Sequence, residues 1–190
     1  MPERFGAFVL IVLGESVIAV SVGTADAHWA FESVATAALG FVLASTLWWT
    51  YFARFDGEVF NWALSGGDEA RRRSFVFGYV HLPMMAALAG VGVGVKLAIE
   101  QAIARGEHRH TAAVLGTALA AYLVSVTLVQ GAAPRRLERP AVAGRCALAV
   151  GAALLAALGD HLSVVAVVGL PALAVCGQAV LETLSVGRGP

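Results

Sequence analysis

The chain has 190 residues, of which 58 % are hydrophobic and 14 % are charged, and its formal net charge is zero. Soluble domains usually contain about 25 % charged residues, so this composition excludes an ordinary soluble domain. The mean hydropathy of +0.77 indicates a polytopic membrane protein. Cys146 and Cys176 both fall inside apolar runs, so the sequence predicts no disulfide framework.

Six apolar segments are long enough to cross a bilayer, because a helix that rises about 1.5 Å per residue needs roughly 20 residues to do so. The predicted fold class is therefore all-α, with one membrane domain formed by a bundle of six transmembrane helices. No connection between the segments is long enough to hold a soluble domain, and the last two segments should form a tight hairpin. The predicted spans are about 5–24, 31–53, 75–96, 111–130, 142–159 and 162–182.

The first span carries a carboxylate near its centre. Glu15 lies about 15 Å along the helix from Arg4, where an ionised acidic residue costs about 3 kcal/mol on insertion scales. Glu15, with Ser16 beside it, is therefore a candidate for a proton-titrating or cation-binding group. The alternative is a protonated carboxyl that hydrogen-bonds a neighbouring helix. The same span resembles a signal peptide, but Glu15 and the five later segments favour a retained helix.

The third span contains a candidate partner for this carboxylate. His81 would lie about 9 Å along the helix from Phe75, within reach of Glu15 directly or through one water molecule. Tyr79 lies beside His81 and belongs to the same predicted ion, proton or substrate pathway. The alternative is that His81 is a polar residue in the headgroup zone.

A stripe of small residues follows in the same span. Such stripes allow the backbones of two helices to approach closely, and intramolecular packing is the favoured interpretation. A second copy of the chain, giving a homo-oligomer, is the alternative. Pro83 and Pro171 each remove a backbone donor from a span. The stripe consists of Ala86, Gly90, Gly94 and Ala98.

The basic residues predict the orientation of the chain. Six crossings leave ten basic residues on one side of the membrane and three on the other. Both termini are therefore expected to be cytoplasmic, with the protein in the inner membrane. Residues 71–73 form a basic cluster that fixes topology and attracts anionic lipid, and nucleic-acid binding is not expected. The larger set is Arg4, Arg54, Arg71, Arg72, Arg73, Arg135, Arg136, Arg139, Arg145 and Arg188, and the smaller set is Lys96, Arg105 and Arg109.

Motifs for catalysis and cofactor binding are missing from the sequence. It contains no P-loop, dinucleotide fingerprint, GxSxG elbow or HExxH helix. Residues 107–110 (EHRH) match no standard zinc spacing. We therefore expect no enzymatic activity, no cofactor and no metal site.

Three motifs resemble the bacterial low temperature requirement A (LtrA) membrane protein family. They are residues 3–16 (ERFGAFVLIVLGES), residues 47–52 (LWWTYF), and residues 79–83 (YVHLP) followed by residues 90–96 (GVGVGVK). The resemblance covers residues 3–100 and implies a membrane protein in which Glu3, Arg4, Glu15, His81 and Pro83 match the family pattern. Family members are usually about twice as long, so the resemblance implies a C-terminal half. The chain is then a truncated product, a product with a misassigned start, or a half that pairs with a separate N-terminal polypeptide.

The sequence predicts transport or ion permeation, because a carboxylate at the bilayer midplane accompanies glycine-rich helices that contain proline. The alternative is a structural or sensory membrane module that transports nothing.

Overall fold

The computed structural model describes residues 2–26, 31–53, 67–104, 110–132 and 138–186, apart from the side chains of residues 2, 3, 15, 16, 19, 23–26, 103, 104, 160, 185 and 186. These residues form α-helices joined in one place by a 3₁₀ turn, and no strand occurs among them. The helices are α1 (Pro2–Asp26), α2 (Phe31–Phe52), α3 (Asp68–Ala104), α4 (Thr111–Ala132), α5 (Arg139–Leu158) and α6 (Val164–Val186).

The helices α2 to α6 are each long and apolar enough to cross a membrane. In α1, the described residues include a shorter apolar stretch, Arg4–Gly14. The all-α, multi-pass membrane fold is therefore confirmed, although the six predicted spans exceed by one the five counted among the described residues. Large apolar side chains such as Phe8, Leu154 and Leu173 are more than half exposed, as expected on a surface that faces lipid.

The helix α3 is longer than the predicted third span. Its 37 residues correspond to about 55 Å, which exceeds the thickness of the hydrocarbon core. Charged residues occupy both ends, and pairs one turn apart support the helix there. At the first end, Arg73 Nε donates to Glu69 Oε1 at 2.9 Å, and at the other end Lys96 lies 3.7 Å from Glu100. Both ends of α3 therefore carry charged pairs one turn apart.

The helix α3 also forms the centre of the bundle. It packs along α4, α1 and α2, while α5 packs mainly along α4 and α6 mainly along α2. Leu47, Met84, Leu88 and Leu119 are fully buried between these helices. The 3₁₀ turn Gly159–His161 connects α5 to α6, but the two helices contact each other much less than they contact α4 and α2. The tight connection predicted between the last two helices is therefore present, although each of them packs mainly against another helix.

Part of the small-residue stripe on α3 faces α4 of the same chain. A Cβ atom on Gly94 would lie 2.8 Å from Leu115 Cα, and one on Gly90 would lie 2.9 Å from the Cβ atom of Ala118. Ala98 is buried, whereas Ala86 is exposed. The two helices therefore approach closely at Gly90 and Gly94, and Ala86 lies outside this contact.

Replacing Gly94 with Ala should destabilise the bundle, because the new methyl group meets the backbone of Leu115 and the two helices must separate. We expect the free energy of unfolding to fall by about 1 to 3 kcal/mol, as in other overpacked cores. Gly78→Ala in the same helix is the matched control, since its Cβ atom would meet nothing within 4 Å. Unfolding in detergent micelles measures both variants, and equal destabilisation would contradict the assigned packing.

Candidate functional site: a buried polar network

A charged pair lies inside the bundle between α5 and α6. The side chain of Arg145 is only 1 % exposed and that of Glu182 only 10 %. Arg145 Nε donates to Glu182 Oε1 at 2.8 Å, and Arg145 Nη2 donates to Glu182 Oε2 at 2.6 Å. This two-pronged geometry suits a guanidinium and a carboxylate, and it compensates the cost of removing both charges from water.

Gln130 of α4 extends this pair to the end of α2. Its Oε1 accepts a hydrogen bond from Arg145 Nη1 at 2.7 Å, and its Nε2 donates to the carbonyl oxygen of Thr50 at 2.7 Å and, more weakly, to that of Tyr51 at 3.4 Å. These carbonyls belong to the last turn of α2, where no further helical N–H group is available. Because a bilayer offers no water to such groups, the Gln130 amide stabilises the end of α2.

Gln178 completes the arrangement on α6. Its Nε2 donates to Glu182 Oε1 at 3.1 Å, so one carboxylate accepts hydrogen bonds from two side chains. Gly144 makes room for this amide, because a Cβ atom at position 144 would overlap the amide of Gln178. We call Arg145, Glu182, Gln130 and Gln178 the Arg145 network.

Two further hydrogen bonds hold α2 at the same end of the bundle. The Tyr122 hydroxyl of α4 donates to the carbonyl oxygen of Leu47 at 2.8 Å, and Trp49 Nε1 donates to Thr183 Oγ1 of α6 at 3.3 Å. The last turns of α2, α4 and α6 and the first turns of α5 therefore meet in one polar layer. This is the end of the bundle that the sequence predicts to be cytoplasmic.

His81 forms a second polar contact near this layer. Its ring is fully buried, with Nδ1 2.6 Å from the carbonyl oxygen of Phe77 and Nε2 3.0 Å from the Tyr51 hydroxyl. A carbonyl can only accept, so Nδ1 donates, and a neutral ring then accepts the Tyr51 proton at Nε2. The Phe5 ring covers the imidazole at a centroid distance of 4.3 Å, which brings α1 into the same contact.

The family model for the bacterial low temperature requirement A protein (LtrA) matches residues 1–181. The chain belongs to the LtrA family. Among curated proteins and solved structures, none matches the chain. Membership of this family identifies the chain as a membrane protein.

The predicted pathway of this LtrA-family chain is described only in part. The side chains of Glu15 and Ser16 lie outside the described residues, so their contacts stay predictions. His81 is buried, whereas Tyr79 is 73 % exposed and does not join it in the bundle. Ten residues of continuous helix separate Phe5 from Glu15, a rise of about 15 Å. Because its ring lies against that of Phe5, His81 lies at the depth of the first turn of α1. Glu15 lies about 15 Å further along the helix axis.

Arg145 and Glu182 were the residues that sequence reasoning missed. The distribution of basic residues places Arg145 on the cytoplasmic side, but its side chain is buried in the bundle, which leaves nine basic residues against three. The predicted orientation does not depend on this residue. A signal was available, because both charges fall inside predicted spans, 142–159 and 162–182, near the same end of two consecutive helices. Of the loop residues 107–110, the structure describes only His110, which is exposed, and residues 107–109 lie outside the described residues.

Arg145→Lys should destabilise the protein although it keeps the charge. An ammonium group cannot reproduce the planar fork that reaches both Glu182 oxygens and Gln130 Oε1, so buried acceptors lose their donors. We expect the free energy of unfolding to fall by about 1 to 3 kcal/mol. Arg139→Lys, at an exposed position on the same helix, should change it by less than about 0.5 kcal/mol. Equal unfolding curves for Arg145→Lys and the native protein would contradict the fork geometry.

Proposed function

We propose that this LtrA-family protein acts in transport or ion permeation across the inner membrane, with both termini in the cytoplasm and no enzymatic activity. Glu15 is the proposed titrating or coordinating group, and His81 is the second polar element of the route. The observation that carries the proposal is the position of Glu15 in the middle of α1, a helix that packs along α3 and α2.

The cost of a charge at membrane depth supports this role. A carboxylate eleven residues beyond Arg4 in a continuous helix lies far from either helix end, and it is tolerated if it is protonated, paired or hydrated. Each of these states couples the carboxylate to protons, cations or water. Intramembrane acidic residues therefore commonly mark ion and proton routes.

His81 and Tyr51 supply a hydrogen-bonded pair between the level of Glu15 and the predicted cytoplasmic end. The imidazole can accept a proton, and the hydroxyl beside it can both donate and accept. Since the ring is level with Phe5, a proton or cation would need about 15 Å of further path along α1 to reach Glu15. In the proposed route, water or mobile polar groups bridge this distance.

The direct test is flux through the purified protein in liposomes. Glu15→Gln keeps the size and polarity of the side chain but removes the ionisable group. We expect proton or cation flux to fall to the level of protein-free liposomes. Glu100→Gln is the matched control, because Glu100 lies in an i,i+4 pair near the end of α3 and is about half exposed. Equal flux through the native protein and Glu15→Gln would reject the role of Glu15.

A second candidate function is a structural or sensory module. It is favoured by the cavity of about 330 Å³ between α1, α2 and α3, whose lining is almost entirely apolar, including Leu13 and Val17 on either side of Glu15 in the sequence. In this case Glu15→Gln leaves function intact, whereas a bulky residue at Gly94 abolishes it through the contact of α3 with α4. The two candidates are separated by comparing the function that each variant retains in the same cells or liposomes. Loss of function in Glu15→Gln favours transport, and loss only in the Gly94 variant favours the structural or sensory module.

A further inference from the structure

A charged cleft opens at the end of the bundle where α3 begins, α4 ends and α5 begins. Its volume is about 740 Å³. Glu69, Arg72 and Arg73 of α3 line the cleft, together with Thr127 of α4. The remaining lining is apolar and consists of Val76, Leu128, Gly131, Ala132 and Val142.

The charges in this cleft do not cancel. Glu69 Oε1 accepts a hydrogen bond from Arg73 Nε at 2.9 Å, and Glu69 Oε2 lies 3.5 Å from Arg72 Nε. One carboxylate therefore serves two guanidinium groups, which leaves an excess of one positive charge. The side chain of Arg72 is 78 % exposed, so its remaining N–H groups are accessible to an anion.

The position of the cleft along the helices is that of the lipid headgroups. Arg72 and Arg73 directly precede the apolar run of α3, and Gly131 and Ala132 are near the last residue of α4. Moving from the arginines toward Val76 and Leu128 leads from the charged ends of the helices into the hydrocarbon zone. The cleft thus has a cationic part at headgroup level and an apolar part directly below it.

Gly131 leaves space within this lining. A Cβ atom at position 131 would meet nothing within 4 Å, so no other side chain of the described residues occupies that place. Position 131 is also exposed, so it suits a substitution that adds a side chain to the cleft. The cleft can therefore be tested in two ways, by a larger side chain at position 131 that occupies it and by removal of its arginine charges.

We infer that this cleft binds an anionic phospholipid, with the phosphate against Arg72 and Arg73 and an acyl chain along Val76 and Leu128. A guanidinium fork matches phosphate oxygens, and the apolar wall matches the chain attached to them. A free phosphate would use only the first of these features. The inference concerns a lipid site and is independent of the transport role proposed for Glu15.

The test measures which lipid remains bound to the purified protein. Native mass spectrometry from mild detergent is carried out with equal amounts of phosphatidylglycerol and phosphatidylcholine of identical acyl chains. We expect several-fold preferential retention of phosphatidylglycerol. This preference should be lost in Arg72→Gln/Arg73→Gln and in Gly131→Leu.

Two matched variants control for charge and for size. Arg71→Gln removes one positive charge from the same turn and is compared with Arg72→Gln alone, since Arg71 pairs loosely with Asp68 at 3.8 Å and does not line the cleft. Gly177→Leu adds the same side chain at another exposed glycine, where a Cβ atom would also meet nothing within 4 Å. Both variants should retain phosphatidylglycerol like the native protein.

Three results would overturn the inference. Equal retention of both lipids would show that the arginines do not select an anion. An equal loss in Arg71→Gln would assign the effect to diffuse charge around residues 71–73. Displacement of the lipid by soluble glycerol phosphate at the same concentration would assign the cleft to a free phosphate. Should Gly131→Leu fail to fold, Arg72→Gln alone, at a side chain that is 78 % exposed, still decides between these outcomes.

Discussion

The buried pair of Arg145 and Glu182 is the interaction on which one end of this bundle depends. A guanidinium that is 1 % exposed is tolerated in a membrane protein only when its donors find acceptors, and the carboxylate and the Gln130 amide supply them. Through these bonds α5 is attached to α6 and α4, although α5 and α6 make few other contacts. Gln130 also donates a hydrogen bond to a carbonyl oxygen in the last turn of α2, so α2 is connected to the same network.

The rest of the described bundle is held by a different principle. Lipid tails are as apolar as leucine, so helices in a bilayer associate through close packing. Gly90 and Gly94 allow α4 to approach α3, and Gly116 allows α5 to approach α4, since a Cβ atom there would overlap the carbonyl oxygen of Ala152. Close packing between helices and hydrogen bonds at the polar end thus stabilise different parts of the bundle. Small residues set the spacing of the helices, and the Arg145 network connects α5 to α6, to α4 and to the last carbonyls of α2.

The sequence predicted the membrane fold well because bilayer thickness constrains the length of each apolar run. It predicted less about the site, since hydropathy does not show which helices touch. The distribution of basic residues predicts an interfacial position for Arg145, whereas the structure pairs it with Glu182 inside the bundle. The position of His81 within its own helix predicts a depth close to that of Glu15. The contact with Phe5 instead places His81 nearer the predicted cytoplasmic end than Glu15. The depth of a residue relative to another helix depends on how far the two helices are shifted along their axes. No local sequence pattern shows this shift.

A double-mutant cycle on Arg145→Leu and Glu182→Leu tests the central claim most directly. Each single substitution leaves an unpaired buried charge and should lower the free energy of unfolding by about 3 to 5 kcal/mol. The double variant leaves no charge of this pair, so it should cost much less than the sum, with a coupling energy above about 1 kcal/mol. Additive effects of the two substitutions would contradict the claim that this pair organises the end of the bundle.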